Sequence, residues 1–352
     1  MKQSSWDKIS IVWLKGGFRL KHTTISEVAR AAGVSNTTVS RYLNGKYSKM
    51  GEQTKQKIAA TIKQLNYVPA ASARRLRSAK SNVVGVLVGD IGNPFSTLLA
   101  KGIDDILQPA GYDIVLMNTN NSCETEARSL ERLYELQADG IIVQPDAIHF
   151  DQFQECIDRQ IPLVLADREV VDQPDTVGKV TSANMDACYR LGRVLHARHY
   201  HNILSISAHF AQASGQIPRI AGLKATAKNY GMNYYNLETK GHNQQWLKRE
   251  LQNALDNLIG KTVVVSLMGP VLFDLLDIFH ELGINFPDDV GLVSFDDWSW
   301  SRYVQDGIYL MRQDVQLMGN VAARKLLIQI AQGTMMSSTT ILPVKMVDRP
   351  SI

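Results

Sequence analysis

Cysteine is scarce in this 352-residue chain, and no two cysteines have the spacing of a redox or metal-binding pair. The three are Cys123, Cys156 and Cys188, which excludes a Cys-x-x-Cys motif and a disulfide-rich secreted scaffold. We interpret them as reduced structural thiols of a cytoplasmic protein. Long hydrophobic runs are also missing, since no stretch reaches the roughly 18 apolar residues that a membrane-spanning helix needs. The N-terminus has no secretory signal pattern, so no membrane partner is expected.

Common catalytic motifs are absent as well. The sequence has no Gly-x-x-x-x-Gly-Lys-Ser/Thr, no Gly-x-Ser-x-Gly and no His-Glu-x-x-His, which argues against a P-loop nucleotidase, a serine hydrolase and a zinc protease. His196, His199 and His201 are close enough in sequence to suggest zinc, but a solvated helix end is the interpretation we favour. We therefore expect no enzyme activity, no cofactor and no metal.

Charge is distributed unevenly along the chain. Residues 1–80 carry 16 Lys and Arg against three Asp and Glu, whereas residues 81–352 carry 22 against 31. Residues 1–80 are called the head and residues 81–352 the body. A basic head joined to an acidic body indicates that only the head binds a polyanion. The alternative is a solvated basic tail with no partner.

The head contains the pattern of two short helices at a steep angle. Thr24 and Glu27 have the capping-box spacing that opens a helix, and Gly33 ends it, because glycine accepts the left-handed conformation of a tight turn. Ser35 then caps a second helix that runs to about Leu43. A third amphipathic helix is predicted at residues 52–65. This is a helix-turn-helix pattern.

Polar side chains of the second helix remain outside the predicted core. That helix is expected to enter the DNA major groove, where side chains meet base edges; an ordinary helical hairpin is the alternative. The residues expected to contact DNA in the head are Thr24, Ser35, Asn36, Thr37, Thr38, Ser40, Arg41, Asn44 and Tyr67.

The body alternates strand and helix signals twice. Strands VVGVLVGD, DIVLMNT, DGIIVQP and IPLVLAD alternate with helices in residues 82–167, and the order restarts after Asn184 with NILSIS, a strand near 234–238, TVVVSL and VGLVSF. The fold class predicted is an all-α helix-turn-helix head plus two doubly wound α/β lobes with parallel sheets. Small ligands bind at the carboxyl ends of such strands.

Several motifs in one order resemble the LacI/GalR family of transcription repressors from about residue 23 onward. They are TISEVARAAGVSNTTVSRYLNG, YVPAASARRLRS, NPF, DGIIVQP and VSFDD. The head and the DDWSW segment are most similar to the 2-keto-3-deoxygluconate regulon repressor group. The resemblance implies a homodimer on a pseudo-palindromic double-stranded operator, a periplasmic-binding-protein-like sensor, and no tetramer through a C-terminal heptad tail.

The resemblance also implies a hinge helix in the basic segment after the head. It assigns DNA contacts to Ala73, Arg74 and Arg77, with Leu76 as a minor-groove wedge that kinks the duplex; the alternative is that Leu76 packs in the body. Ala70 departs from the asparagine that the family often carries, so the hinge cap is expected to be weaker or supplied differently.

The predicted domains follow from these segments. They are an extension at 1–22, a DNA-binding domain at 23–68, a hinge at 69–80 and a sensor at 81–352, with one lobe at about 82–182 and 312–339 and the other at 183–311 and 340–352. The extension is interpreted as a mis-assigned start with translation beginning at Leu20, or as a genuine basic arm.

The effector contacts expected from the resemblance lie at strand ends. They are Asp90, Asn93, Phe95, Asp167, Arg168, Arg219, Met268, Asp296 and Trp298. Carboxylates and guanidinium groups suit vicinal hydroxyls, and aromatic rings cover the apolar face of a sugar. For Asp90 and Asn93 the alternative role is helix capping. For Arg168 the alternative is an ion pair that closes the lobes. Trp300 is interpreted as a packing residue and not a ligand contact. Met268 replaces an expected polar side chain.

Two arginines in the cleft favour a sugar acid as effector. A neutral-sugar or phosphosugar regulator, and a free-standing sugar carrier without a DNA role, are the alternatives. By resemblance, the effector closes the cleft, separates the hinge helices and changes DNA affinity; whether it induces or co-represses stays open. Helix 98–108 and the helix after Gln313 are expected in the dimer face.

Overall fold

A computed structural model describes residues 23–48, 50–67, 80–208, 215–296, 299–334 and 339–352. The chain divides into two compact units, Met1–Lys80 and Ser81–Ile352. The extension at 1–22 and the hinge positions Ala73, Arg74, Leu76 and Arg77 lie outside the described residues, so their predicted roles stay predictions.

Three helices form the head. They are α1 (Ile25–Ala32), α2 (Asn36–Leu43) and α3 (Glu52–Gln64). The predicted capping box is confirmed: the Thr24 hydroxyl accepts from the Glu27 N–H at 3.3 Å, and the Glu27 carboxylate accepts from the Thr24 N–H at 2.7 Å. Gly33 closes α1 with φ 65°, and the Ser35 hydroxyl accepts from the Thr38 N–H at 3.2 Å to open α2. Small side chains at the α1–α2 contact let the helices approach closely.

The body contains two six-stranded sheets. The first has the order β11-β5-β4-β3-β1-β2 and the second β12-β10-β9-β8-β6-β7. All strand pairs are parallel except β10 with β12. The strands of the first sheet are β1 (Val83–Val88), β2 (Asp113–Asn118), β3 (Gly140–Val143), β4 (Leu163–Ala166), β5 (Gly178–Ser182) and β11 (Thr339–Leu342). Those of the second are β6 (Asn202–Ser207), β7 (Asn233–Glu238), β8 (Thr262–Ser266), β9 (Gly291–Phe295), β10 (Tyr309–Arg312) and β12 (Lys345–Val347).

Helices cover both faces of each sheet. Those beside the first sheet are α4 (Pro94–Leu107), α5 (Cys123–Glu135), α6 (Gln154–Asp158) and α11 (Val315–Gln332). Those beside the second are α7 (Asn184–Ala197), α8 (Gln216–Tyr230), α9 (Gln244–Asn257) and α10 (Gly269–Leu282). The first sheet with its helices is called the N-lobe and the second the C-lobe. The predicted α/β fold with two parallel-sheet lobes is confirmed.

The chain passes between the lobes three times, at residue 183, at 313–314 and at 343–344. The predicted lobe boundaries at 312 and 340 are therefore wrong by a few residues. Arg312 still pairs with Lys345 in the C-lobe sheet, and Thr339–Leu342 pairs with β5 in the N-lobe sheet. Strands β11 and β12 are separated at Pro343, which has no N–H for a sheet ladder.

Glycines allow α4 and α11 to touch backbone to backbone. A Cβ on Gly102 would lie 2.1 Å from the Gln316 carbonyl oxygen, and one on Gly319 would lie 2.3 Å from the Leu99 carbonyl oxygen. The N-lobe core of β1, α4 and α11 depends on this close approach. Within the described ranges, no helix is both long and apolar enough to cross a bilayer.

Candidate nucleic-acid interface and effector cleft

The outer face of α2 presents an ordered row of polar side chains. Asn36, Thr37 and Arg41 are exposed. The Asn36 amide donates to the Ser26 hydroxyl at 3.1 Å, which fixes it against α1. Asn44 donates to the Ser40 carbonyl oxygen at the other end of the helix. The sequence of α2 contains no acidic residue, so this surface can approach phosphates without repulsion.

Tyr67, a predicted DNA contact, is buried in the head. It is 8% exposed and packs with Val28, Ala29, Val39 and Ile58 in the core of the head. Its ring closes the small core beneath the outer face of α2, and its predicted contact with DNA stays a prediction.

The body contains a cleft between its two lobes that is open to solvent and holds about 450 Å³ of space not occupied by atoms, solvent space included. Most of its side chains follow the carboxyl ends of strands, as expected for parallel sheets. The lining residues are Asn93, Phe95, Gln144, Asp167, Arg168, Gly215, Gln216, Arg219, Met268, Gly269, Asp296 and Gln313. The structure thus brings together seven predicted positions: Asn93, Phe95, Asp167, Arg168, Arg219, Met268 and Asp296.

Arg219, on α8, is the most deeply embedded cation of the cleft. It is 5% exposed, and its guanidinium carbon lies 3.8 Å from the centroid of the Phe295 ring. Its Nε donates to the Asn184 Oδ1 at 3.0 Å and a terminal nitrogen donates to the Leu267 carbonyl oxygen at 2.6 Å. Burial lowers the pKa of Arg219, while Asp296 and Asp167 act in the opposite direction. Among described residues, no carboxylate oxygen lies within 4 Å of this guanidinium.

Asp296 follows β9 with a φ of 56°, a conformation that aspartate tolerates better than most residues. Its two oxygens accept from the Gln313 backbone N–H at 2.8 Å and from the Gln313 side-chain amide at 2.6 Å. Burial raises the pKa of Asp296 to about 6, opposed by the positive charge of Arg219. The carboxylate is therefore held in place at the point where the chain leaves the C-lobe.

Three buried polar atoms of the cleft residues have no partner among the described residues. They are the Asp167 Oδ1, the Gln216 Nε2 and the Gln313 Oε1. The other Asp167 oxygen accepts from the Gln144 amide at 2.9 Å, so the side chain cannot turn freely. Because buried polar groups are normally hydrogen-bonded, these atoms mark where a hydroxylated ligand would supply donors and an acceptor.

Arg168 points into the same cleft but is paired within its own lobe. One terminal nitrogen donates to the Asp146 carboxylate and, at 3.3 Å, to the Pro145 carbonyl oxygen, and the other donates to the Asn121 Oδ1 at 2.8 Å. The alternative of a lobe-closing ion pair is wrong, because Asp146 and Asn121 both belong to the N-lobe.

Asp90 does not line the cleft. It is exposed, and its Oδ1 accepts from the Gly92 N–H at 2.8 Å, which shapes the turn before α4. Its position outside the lining favours the turn-forming role, and its effector contact stays a prediction. Asn93 caps α4, since its Oδ1 accepts from the Phe95 N–H at 3.0 Å. The same residue also lines the cleft.

Two tryptophans follow β9, and one of them, Trp300, lies within the described ranges. Trp300 stacks on Phe273 with ring centroids 4.6 Å apart and packs against the C-lobe core, as interpreted from the sequence. Trp298 lies outside the described residues, so its predicted ligand contact stays a prediction.

The sequence did not identify three glutamines of the cleft: Gln144, Gln216 and Gln313. Gln144 directly follows a buried strand, and that position was the available signal. His196, from the histidine cluster, stacks on Tyr230 with centroids 4.8 Å apart. In the part of the chain that the structure describes, no three His, Cys, Asp or Glu side chains are arranged to hold a metal ion.

Family models match most of the chain. The model for bacterial regulatory proteins of the lacI family matches residues 24–70. That for periplasmic binding proteins and the sugar binding domain of the LacI family matches residues 81–258, and a periplasmic binding protein-like domain matches residues 193–352.

Curated relatives span nearly the whole chain. The HTH-type transcriptional regulator KdgR of Bacillus subtilis (strain 168) is 30% identical, covering 94% of this chain and 98% of that protein. PtxS of Pseudomonas putida, also an HTH-type transcriptional regulator, is 32% identical over 87% of this chain and 89% of its own length.

Solved structures give the same fold. A LacI transcriptional regulator from Lactobacillus brevis matches with a TM-score of 0.69 at 25% identity, covering 75% of this chain and 100% of that one. The Lac repressor dimer bound to operator and an anti-inducer matches with a TM-score of 0.77 at 20% identity, covering 94% and 99%. With its helix-turn-helix head and two-lobed sensor, the chain belongs to the lacI family of DNA-binding transcriptional regulators.

Proposed function

We propose that this regulator binds a pseudo-palindromic operator as a homodimer and changes its DNA affinity when a sugar acid occupies the cleft. The observation that carries the effector class is Arg219, a buried guanidinium with no carboxylate of the described residues within 4 Å. A buried cation of this kind favours an anionic ligand group. The unpartnered oxygens and amide nitrogen nearby favour hydroxyl groups on the same ligand.

The DNA-binding half of the proposal rests on the exposed polar face of α2. Two such helices in a dimer would enter successive major grooves of the operator. The strongly basic composition of residues 1–80 would make affinity fall steeply with salt, because bound counterions are released from the phosphates. Its target, chromosomal DNA, would give the protein a cytoplasmic site of action.

Effector and operator would be coupled through the body. The cleft is lined by both lobes, so a bound ligand changes the free energy of their relative arrangement, and the effector would act as a shift between two states. Such coupling is reciprocal, so operator DNA would change effector affinity by the same factor as effector changes operator affinity. The sign of the coupling decides whether the acid induces or co-represses.

A thermal-shift screen of the full chain tests the effector class. The panel pairs each aldonate with its neutral sugar, gluconate with glucose and galactonate with galactose, and adds 2-keto-3-deoxygluconate, phosphosugars and purines. A ligand in excess stabilises the folded state in proportion to the logarithm of its concentration over Kd, so a sugar acid should raise Tm while its neutral partner does not. Stabilisation by neutral sugars alone would contradict the carboxylate assignment and leave the regulator assignment intact.

Arg219→Gln gives the matching variant. Removing a charge-assisted hydrogen bond should weaken binding of the acid about 10- to 100-fold. Arg249→Gln, a surface arginine on α9 with 64% of its side chain exposed, is the control and should bind as the wild type does. Equal affinities in both variants would contradict the role of Arg219.

A further inference from the structure

The positive charge of Arg168 is compensated by a buried carboxylate, that of Asp146. Its side chain is 9% exposed and that of Asp146 is fully buried, and the two form an ion pair. Asp146 does not itself line the cleft. The pair therefore presents a guanidinium surface to a ligand without presenting a net positive charge.

Asp146 is fixed in this position from three sides. Its second carboxylate oxygen accepts from the Thr119 hydroxyl. Its backbone N–H donates to the Glu126 carboxylate at 2.7 Å, and the next N–H, of Ala147, donates to the other Glu126 oxygen at 3.1 Å. Rotating Asp146 away from Arg168 would leave several buried groups unpaired, so the pair persists when a ligand arrives.

Among the described residues that line the cleft, the ionisable groups are two guanidiniums and two carboxylates. They are Asp167, Arg168, Arg219 and Asp296. Because Asp146 compensates Arg168, Arg219 is the one cation of the described lining left to receive an anionic group from a ligand. A second anionic group would find no free cation among the described lining residues and would meet Asp167 or Asp296 instead, in surroundings where charges are poorly screened.

We infer that Asp146 is a positioning residue that sets effector specificity: by neutralising Arg168 it restricts the cleft to polyhydroxylated acids with a single anionic group. Sugar diacids and phosphorylated sugar acids are excluded on charge. This inference rests on the proposed function and adds the class of acid and the residue that selects it.

Isothermal titration of the full chain with aldonate and aldarate pairs of equal stereochemistry tests this selection. Gluconate with glucarate, and galactonate with galactarate, differ by one terminal carboxylate in place of a hydroxymethyl group. The wild type should bind the better aldonate at least about tenfold more tightly than its aldarate.

Asp146→Asn removes the compensating charge with little change in shape. The asparagine Oδ1 can accept from Arg168 while its amide donates to the Thr119 hydroxyl, whose one hydrogen then turns from residue 146 to the Val88 carbonyl oxygen 3.0 Å away. In this variant the preference for the aldonate should fall at least about tenfold, because Arg168 becomes a second cation. Asp172→Asn is the control, since it changes the net charge by the same amount at a surface position with an 82% exposed side chain. It should keep the wild-type ratio of aldonate to aldarate affinity.

The double variant Asp146→Asn, Arg168→Gln covers the case in which the single variant fails to fold. It removes both charges of the buried Asp146–Arg168 pair together, and it should keep the wild-type ratio of aldonate to aldarate affinity, since a neutralised pair and a neutral pair present the same net charge. If the double variant bound aldonate and aldarate equally well, the inference would be overturned. Arg168 would then be the residue that binds the ligand carboxylate.

The outcomes separate the two proposals. Equal binding of aldonate and aldarate by the wild type, or an unchanged ratio in a folded Asp146→Asn variant, would overturn the role of Asp146 and leave the sugar-acid effector standing. Binding of neutral sugars with no binding of any acid would overturn both.

Discussion

The Asp296 carboxylate accepts two hydrogen bonds from one residue, Gln313, at 2.8 and 2.6 Å. Asp296 ends β9 of the C-lobe, and Gln313 lies where the chain passes from β10 to α11 of the N-lobe. Both residues line the effector cleft. The pair therefore links the ligand site directly to one of the three segments that join the lobes.

Asp296→Asn should make the stability of the protein less dependent on pH. Burial raises the pKa of Asp296 from 3.8 to about 6, so the folded state binds the proton more tightly than the unfolded state does. Stability from this group is present at low pH and is lost as pH rises from about 4 to 6. Asparagine tolerates the positive φ and does not ionise. The free energy of unfolding of the variant, relative to wild type, should rise by up to about 3 kcal/mol between pH 4 and pH 7.

Urea denaturation of both proteins at several pH values measures this difference. The other titrating groups are common to the two proteins and cancel in the comparison. A difference that stays constant with pH would show that Asp296 keeps an ordinary pKa. The same variant should bind the effector more weakly, which titration at pH 7 would show.

Ser35→Ala should loosen the recognition helix. The Ser35 hydroxyl caps α2 by accepting from the Thr38 N–H, and loss of such a cap costs about 1 kcal/mol. Backbone amides of the first turn of α2 should exchange with solvent roughly fivefold faster, read by hydrogen exchange on the full chain. Gln53→Ala, an exposed position on α3, is the control; equal exchange in the two variants would contradict the capping role.

Arg41→Ala should weaken operator binding without changing effector binding. Arg41 is exposed on α2 and is expected to contact DNA. If it contacts a phosphate, the slope of log affinity against log salt should fall in magnitude by about one. If it reads a base, discrimination between operator and random DNA should fall by about 1–3 kcal/mol. Fluorescence anisotropy over a salt series distinguishes these results, and unchanged binding in both respects would remove Arg41 from the interface.

Gly102→Ala should destabilise the N-lobe. The new methyl group would lie 2.1 Å from the Gln316 carbonyl oxygen, so α4 and α11 must move apart, at a cost of about 1–3 kcal/mol or more. Lys101→Ala, the neighbouring position with a 60% exposed side chain, should leave the stability close to that of the wild type, because exposed ion pairs contribute little. Chemical denaturation measures both, and similar stabilities would show that the helices can separate freely.

Local patterns predicted most of the secondary structure. The capping residues Thr24 and Ser35, the left-handed Gly33 and the alternating strands and helices of the body were all read from sequence neighbours. The strands β5 and β10 were not predicted. β5 has the sequence GKVTS, whose short mixed pattern carries no strand signal of its own. Its place in the sheet comes from pairing with β4 and β11.

The cleft was predicted in part. Strand ends and the family resemblance located Arg168, Arg219 and Asp296. They did not locate Gln144 or Gln313, because glutamine carries no distinctive signal and its role depends on neighbours far away in the chain. For Asp90 the sequence could not separate two roles, since a carboxylate after a strand suits a ligand contact and a turn equally well, and the structure places it in the turn.

The sequence by itself determined the helix-turn-helix head, the two-lobed α/β body, the family and the positions where strands deliver side chains to a cleft. These follow from short-range rules: capping, glycine turns and hydrophobic period. Only the tertiary structure decided that Arg168 is compensated by Asp146, that Arg219 has no such carboxylate among the described residues, and that Tyr67 packs in the core of the head. Charge compensation and burial depend on groups distant in sequence that folding brings within a few ångströms, where Coulomb interactions and desolvation act.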